Sequence, residues 1–547
     1  MNGRPHTQRW KRHALCTLGW VACGCGLLAG AAPSETVVVG GRSVLVDKAP
    51  LAAATSARSM DDALREASVA RPPLSRPLMG WIARAVPGDR ATVLRVDPAA
   101  GLELIDVERD EAAVLAQAAG PGTRFELLGE REPALRWMRP TLGIARAWRI
   151  AGHGEGVRVG LVEIGGLGQT TDTVIPFLRY GGCADSWHAT MVGGVIALRP
   201  SAVWNRAYAG IASSVRLLDA GACSARDRDL FAAIDWALAQ GATLLNLSWG
   251  APTGGAYDAA ATLVDETAWS RGTLIVAAAG NDAASVWSPA LAHDALAVGA
   301  TDDRNTDTVR DDVMAGFSSW IDPQSGHAKP ELVAPGADVT TAAPGYQALA
   351  RASGTSIAAP AVTATAALLL GVRPDLAGHG PAVRALLLAS AGLRPGFGDG
   401  SRDAGDREGE GYPRAEVAAQ SAAAGRYGWL EVTSGDAGAT RVLTTLRLKR
   451  GQRVRAAIAW DQPGRYHAAG LGAMADVDLA LLAPNGTVVA ESRAATGGFE
   501  ALAARAPVNG DYRLVASVFR HDTLDREGTL PGRTPLGWAW AVIPSGR

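Results

Sequence analysis

Between Val157 and Leu388 one unit recurs: a short apolar run, often closed by a small or polar residue, followed by a stretch with helical character. The runs are Val157–Val162, Val215–Leu218, Leu244–Leu247, Leu274–Ala278 and Leu296–Val298, with helix-like stretches such as Arg228–Ala239 and Tyr257–Arg271 between them. Strands that are mostly apolar, and not only at every second position, belong to sheets buried on both faces. Such strands alternating with helices predict a doubly wound α/β domain with a mainly parallel sheet. In a sheet of that kind ligands bind beyond the carboxyl ends of the strands. The residues closing each run are therefore the first candidates for chemistry. Val157–Val162 leads into Glu163 and Ile164-Gly165-Gly166, Leu244–Leu247 into Ser248-Trp249-Gly250, and Leu274–Ala278 into Ala279-Gly280-Asn281. One rim thus gathers a carboxylate, an open strand edge and an amide.

Two further segments bear on that rim. His188 opens the small-residue stretch His188–Ala197, a helix start in which a lone histidine is more often a cap or a packed core residue. Gly354-Thr355-Ser356-Ile357-Ala358-Ala359-Pro360 runs into Ala361–Leu370, a helix apolar on nearly all faces and hence central. A helix N-terminus favours negative charge, and its free N–H groups can hold an oxyanion beside a hydroxyl. Ser356 is a candidate nucleophile on that ground, and Thr355 or Ser356 acting only as an N-cap is the alternative. Pro360 suits a first helical turn in either case.

The remainder of the chain fits several domains, as 547 residues require. A net charge of −1 excludes nucleic-acid binders and polybasic membrane-surface proteins. Residues 1–12 carry Arg4, Arg9, Lys11 and Arg12, and an apolar stretch from Ala14 to Ala32 ends in Ala29-Gly30-Ala31-Ala32. That layout reads as a signal peptide over 1–32 and an exported product, secreted, periplasmic or at the cell surface. No later stretch is long and apolar enough for a stable membrane span. Cys16, Cys23 and Cys25 fall in the leader, which leaves Cys183 and Cys223 to form one disulfide. No cysteine and histidine cluster has zinc spacing, so no metal site is assigned. Residues 33–130 read as a small α+β domain, with strands at Thr36–Val39 and Thr92–Val96 and a helix at Met60–Ser68. A loop at 396–411 follows the α/β region. After Arg426 the period becomes two, as in Tyr512, Leu514, Ala516 and Val518 or Val477, Leu479 and Leu481, with a turn at Pro484-Asn485-Gly486. This predicts an antiparallel β-sandwich over 426–547. Asp476 and Asp478 there read as solvated surface, with calcium binding as the alternative.

Taken together and in this order, the segments from about Trp137 to Ala419 resemble the subtilisin-like serine peptidases, the subtilases. Gly354–Pro360 resembles the family's nucleophile motif, His188-Ala189-Thr190 its histidine motif, and Ala277–Asn281 the segment ending in its oxyanion asparagine. Leu247-Ser248-Trp249-Gly250 is similar to the strand that pairs with extended substrate, and Ala297–Thr301, Phe317–Ser319, Lys329–Gly336 and Gly411–Ala419 match further landmarks. The resemblance implies a catalytic domain over 131–425, polypeptide substrates and an inhibitory, folding-assisting propeptide over 33–130. It implies no cofactor for the chemistry, and structural calcium on ligands that cannot be aligned. The implied roles are Ser356 as nucleophile, His188 as general base, and Asn281 with the Ser356 N–H as oxyanion donors. Ser248, Trp249, Gly250, Ala279 and Gly280 would line the substrate.

Two departures stand out. The family's triad aspartate is Glu163 here, and the glycine after its histidine is Ala189. A glutamate can accept the Nδ1–H of His188 if one extra methylene is absorbed by backbone retreat or a bent rotamer. Asp172 and Asp185 are the other acids within reach in sequence. A sedolisin-type site would lack the histidine and carry Asp at the oxyanion position, against His188 and Asn281. A lipase elbow needs its histidine after the serine, against the order found. The expected activity is a secreted serine endopeptidase using a Ser-His-Glu triad. The alternative is a catalytically impaired subtilase scaffold serving as a binding module.

Overall fold

The computed structural model describes residues 35–39, 42–46, 90–97, 101–108, 124–128, 135–168, 174, 177–199, 209–344, 349–392, 407–522 and 532–544. The expected leader with Cys16, Cys23 and Cys25, the helix at Met60–Ser68, Asp172 and most of the 396–411 loop lie outside the described residues. The chain divides into two units, Met1–Arg131 and Glu132–Arg547. In the first, β1 (Glu35–Val39) and β2 (Arg42–Val46) form an antiparallel pair. Beside them in sequence, β3 (Arg90–Asp97) lies between β4 (Gly101–Glu108) and β5 (Arg124–Leu128), again antiparallel.

The second unit opens with α1 (Leu135–Thr141), α2 (Ile144–Ala151) and β6 (Arg158–Ile164). Then come β7 (Leu178–Arg179), α3 (Trp187–Ala197), β8 (Arg216–Ala222), α4 (Asp227–Ala239), β9 (Leu244–Leu247), α5 (Ala259–Arg271) and β10 (Leu274–Ala278). They are followed by β11 (Leu296–Asp302), β12 (Val313–Met314), β13 (Leu332–Pro335), β14 (Val339–Ala342), β15 (Leu349–Ala352), α6 (Thr355–Val372), α7 (Gly380–Ser390) and α8 (Ala415–Ala423). Eight strands form one sheet in the order β12-β11-β10-β9-β6-β8-β7, with β13 also paired to β11. Every pair is parallel except β11 with β12.

The apolar runs serve two cores at once. Leu161, Leu217, Leu244 and Val276 face a core shared with α2, α3, α6 and α7, whereas Val162, Leu218, Leu245 and Ile275 face one shared with α4 and α5. Consecutive residues point to opposite faces because the side-chain period of a strand is two. Glu163 follows Leu161 by two, so it lies on the face covered by α3 and α6. Strand β6 is the first of the sheet and sits between β8 and β9, where the direction of strand order reverses. That is the switch point at which such sheets open a crevice.

Helix α6 is buried from Thr355 through Leu370 and runs through the first core. Against the expectation that no stretch after the leader is long and apolar enough to span a membrane, α6 has that length and composition, the one helix among the described residues to do so, and protein covers it here.

The chain then builds β16 (Tyr427–Thr433), β17 (Thr440–Leu448), β18 (Arg453–Trp460), α9 (Gly464–Ala468), β19 (Ala475–Leu482), β20 (Val488–Ser492), β21 (Phe499–Arg505), β22 (Gly510–His521) and β23 (Arg533–Ile543). These strands form two antiparallel four-stranded sheets, β16-β23-β18-β21 and β17-β22-β19-β20, around a common core. Tyr512, Leu514, Ala516 and Val518 point into that core together with Val477, Leu479 and Leu481. The outer face of the first sheet is covered too: Ala457, Ala459 and Ala539 belong to the α/β core. Small residues permit this approach, and a β-carbon on Gly537 would lie 2.1 Å from the Ala382 nitrogen.

Candidate active site

Three elements deliver the rim residues. Strand β6 was expected to stop before Glu163, but β8 continues opposite it, pairing Glu163 with Gly221 and Ile164 with Ala222. Glu163 therefore sits inside the strand, 1% exposed. Its Oε2 accepts the Nδ1–H of His188 at 2.9 Å, while Oε1 has no partner among the described residues. His188 is the second residue of α3, whose N-cap is Ser186, hydrogen-bonded to the Ala189 N–H. The ring is thus neither a cap nor a core residue, and its side chain is 45% exposed. Burial draws the His188 pKa down, and the charge and hydrogen bond of Glu163 outweigh it, so the value lies above the usual one for histidine. Ala189 is buried within α3, so the extra methyl is accommodated. Asp185 is directed elsewhere, 3.5 Å from Arg179 Nη1.

Ser356 is the second residue of α6 and 8% exposed. The N-cap is Gly354, which has no side chain of its own to cap the helix. Pro360 falls in the second turn, not the first. Lacking an N–H, it leaves the Ser356 carbonyl without its helical donor. Ser248 Oγ donates to that carbonyl at 2.9 Å, and itself accepts from Asn246 Nδ2 at 2.9 Å. Thr363 Oγ1 completes the chain by donating to Asn246 Oδ1 at 2.9 Å. The Ser248 hydroxyl is therefore occupied in holding α6.

Asn281 is fixed by the same helix. Its Oδ1 accepts from Thr355 N at 2.8 Å and from Thr355 Oγ1 at 3.0 Å, which turns Nδ2 outward as a donor. Thr355 Oγ1 also accepts the Gly280 N–H at 3.1 Å. A β-carbon built on Gly354 would lie 2.9 Å from Ser356 Oγ and 3.7 Å from Asn281 Nδ2. Glycine there leaves the space between hydroxyl and amide open. Gly280 has φ 114°, and a β-carbon on it would lie 2.5 Å from the Trp287 ring, so no other residue fits without displacement. Gly250 lies equally close to its neighbour, the Ser288 carbonyl at 2.7 Å from a notional β-carbon. Trp249 packs against the core on the α4–α5 side, beside buried Ala279. Cys183 and Cys223 are disulfide-bonded, with Cα atoms 4.8 Å apart, and tie the segment before His188 to the end of β8. Among the described residues no group of three or more His, Cys, Asp or Glu is placed to hold a metal ion.

The arrangement sets a hydroxyl at a helix N-terminus, an amide donor beside it, and, on the neighbouring helix, a histidine oriented by a carboxylate of strand β6. These are the parts that acyl transfer requires. The peptidase S8 profile of the subtilase family matches residues 178–429. Subtilisin BL of Lederbergia lenta is 33% identical over 249 residues, covering 43% of this chain and 85% of that protein. The chain belongs to the subtilase family. It is accordingly a serine-type endopeptidase with a subtilisin-like α/β fold, and its substrates are polypeptides. Subtilisin E of Bacillus subtilis (strain 168) is 30% identical over 253 residues, 42% of this chain and 61% of that one. Serine protease AprX of the same organism is 37% identical over 128 residues, 20% of this chain and 29% of its own length. The family match includes His188, Asn281 and Ser356 and begins downstream of Glu163.

Sequence reasoning passed over Thr355 as an anchor for Asn281, and over Asn246 and Thr363 behind Ser356. Their one signal is a polar residue inside an otherwise apolar strand or helix, since a buried polar group needs a partner.

Proposed function

We propose that this subtilase is an exported endopeptidase that cleaves peptide bonds through an acyl-enzyme on Ser356, His188 and Glu163. Ser356 Oγ attacks the scissile carbonyl as His188 Nε2 takes its proton. The tetrahedral oxyanion is held by Asn281 Nδ2 and the Ser356 N–H; losing one such donor costs about 10²–10³ in turnover. Collapse breaks the C–N bond as His188 returns the proton to the leaving amine, and water then releases the acyl group by the same path. Glu163 keeps Nδ1 protonated and stabilises the imidazolium. The observation that carries this reading is the 2.9 Å hydrogen bond from His188 to a carboxylate that is almost wholly buried.

The same reading takes residues 1–32 as the signal peptide, 33–130 as a propeptide, 131–425 as the catalytic domain and 426–547 as a β-sandwich. Residues Ser248–Gly250, Ala279 and Gly280 would contact substrate through their backbone. Treating the processed chain with a fluorophosphonate tests the chemistry. An adduct on Ser356, absent in Ser356→Ala, is expected. A folded chain with no adduct would instead be a subtilase scaffold kept for binding.

A further inference from the structure

Strand β8 presents two same-face positions to the loop that follows Glu163. Asp219 pairs with Leu161, and Gly221 with Glu163. A β-carbon on Gly221 would lie 2.7 Å from the Gly165 carbonyl oxygen and 2.8 Å from Gly166 Cα, so the loop crosses the end of the sheet in direct contact with β8. Asp219 is fully buried. Its Oδ2 accepts the Leu167 N–H at 3.0 Å and the Arg179 Nε–H at 2.7 Å.

Arg179 reaches further. It donates from Nη2 to the Leu167 carbonyl, and its Nη1 lies near Asp185. Asp185 belongs to the segment that enters α3. That segment is knitted to the loop by Gly166 N–H to Ala184 O at 3.0 Å and Ser186 N–H to Gly166 O at 2.8 Å. One guanidinium therefore bridges β8, the loop after Glu163 and the approach to His188.

The arrangement is costly. Burial pushes the Asp219 carboxyl up in pKa against its hydrogen bonds to Leu167 and Arg179, and Oδ1 has no partner among the described residues. Asp219 is fully buried and the Arg179 side chain 23% exposed, and an ion pair that takes a carboxylate out of water is generally no more stabilising than a well-packed apolar replacement. Its presence is accounted for if its task is geometric.

We infer that Arg179 and Asp219 are positioning residues, which hold the Gly165–Leu167 loop and the start of α3 at the spacing that lets Glu163 meet His188. This rests on the triad reading above. A glutamate brings one methylene more than an aspartate, so the separation between β6 and the histidine ring has to be held at that longer reach. Glu163 on β6 is the charged group that acts on His188 directly, whereas Asp219 on β8 and Arg179 and Asp185 in the flanking segments contact one another and the loop.

The test is a double-mutant cycle on the processed enzyme, with active sites titrated by fluorophosphonate and kcat/KM followed against pH on a peptide substrate. Arg179→Gln should lower kcat by up to about a hundred-fold with little change in KM, as a misplaced catalytic group does. It should move the acid midpoint of kcat/KM in the same direction as Glu163→Gln. Arg179→Lys should recover part of the rate, and Asp219→Asn should act like Arg179→Gln. The double variant Arg179→Gln/Glu163→Gln should be no slower than Glu163→Gln alone. Independent, multiplying losses would overturn the inference. So would an unmoved midpoint with fewer titratable sites, since Arg179 would then serve only folding. If Glu163→Gln itself leaves rate and midpoint unchanged, the triad reading fails first, and the positioning role goes with it.

Discussion

Two places in this chain set histidine rings near buried carboxylates, and the rings titrate in opposite directions. At the rim, His188 donates directly to Glu163 and is held above its ordinary pKa. At the junction of the α/β layers with the C-terminal sheets, His293 stacks between His327 and His467, with ring centroids 4.0 and 3.6 Å apart. All three are buried. Burial takes His293 and His327 well below the usual value, aided by their charged neighbours, and takes His467 to about 4. The difference is not how many acids are near but what those acids hold. Asp265 accepts from Tyr257 and from the backbone of His293 and Asp294, Asp294 accepts the Gln462 N–H, and Asp461 faces Arg384. Among the described residues no carboxylate hydrogen-bonds a ring nitrogen of the three, and Lys329 and Arg384 oppose a further positive charge on His293. A hydrogen-bonded carboxylate makes a histidine a base, whereas burial without one keeps it neutral packing.

The comparison breaks most readily at Glu163. Replacing it with glutamine keeps the shape and removes the charge. We expect kcat/KM to fall by about 10³–10⁴, by analogy with an amide in place of a triad acid. In the proposed mechanism the neutral ring is the base, so kcat/KM of the parent should rise with pH around a midpoint above the ordinary 6.5 of histidine, and the variant's midpoint should be lower. The same raised pKa contributes stability that is present below the unfolded value and lost as pH rises through the folded one. A pH–rate profile of both proteins decides the matter.

Arg384 is the counterpart at the junction. It is 1% exposed and donates to the carbonyls of His293, Asp294, Trp460 and Gly498, drawing both layers together. Arg384→Met should cost about 3–5 kcal/mol in urea unfolding, the range for a buried pair that loses one partner. Fluorophosphonate labelling per folded molecule should stay unchanged. Slower labelling would show that the junction and the rim are coupled.

The smallest effect sharpens the histidine stack itself. His467 at about 4 folded and 6.5 unfolded loses stability as pH falls between those values, about 2 kcal/mol between pH 7.5 and 5. Asp265 and Asp461 act against this: with folded values of about 6 and about 7 they bind protons first in the folded chain, which relieves their penalty as pH falls. His467→Phe keeps a stacked ring without its titration. Compared with the parent, it should therefore gain about 2 kcal/mol at pH 5 relative to pH 7.5 in paired unfolding curves.

Much of the architecture was open to reading because it depends on period. Ile275 and Val276 go to opposite cores, as an apolar run covered on both faces demands, and Tyr512 to Val518 alternate as one buried face demands. Ser356 was legible from the uniformly apolar helix behind it. Strand ends were less so: β6 runs past Glu163 because of its partner β8, and nothing local announces that partner. Pro360 likewise belongs to the second helical turn, where its missing N–H makes Ser248 necessary.

Local order along the chain therefore decided the layers, the period of each sheet, and which residue types could reach the rim, because side-chain direction follows from backbone period alone. Pairings between distant segments were left to the folded state. The Arg179–Asp219 bridge, the hold of Ser248 on the Ser356 carbonyl, and the stack of His293, His327 and His467 each join residues that carry no mutual signal in sequence. Whether a histidine becomes a base or a packing element depends on which buried acid finds it. That is a property of burial and hydrogen-bond geometry, and both exist only once the chain has closed.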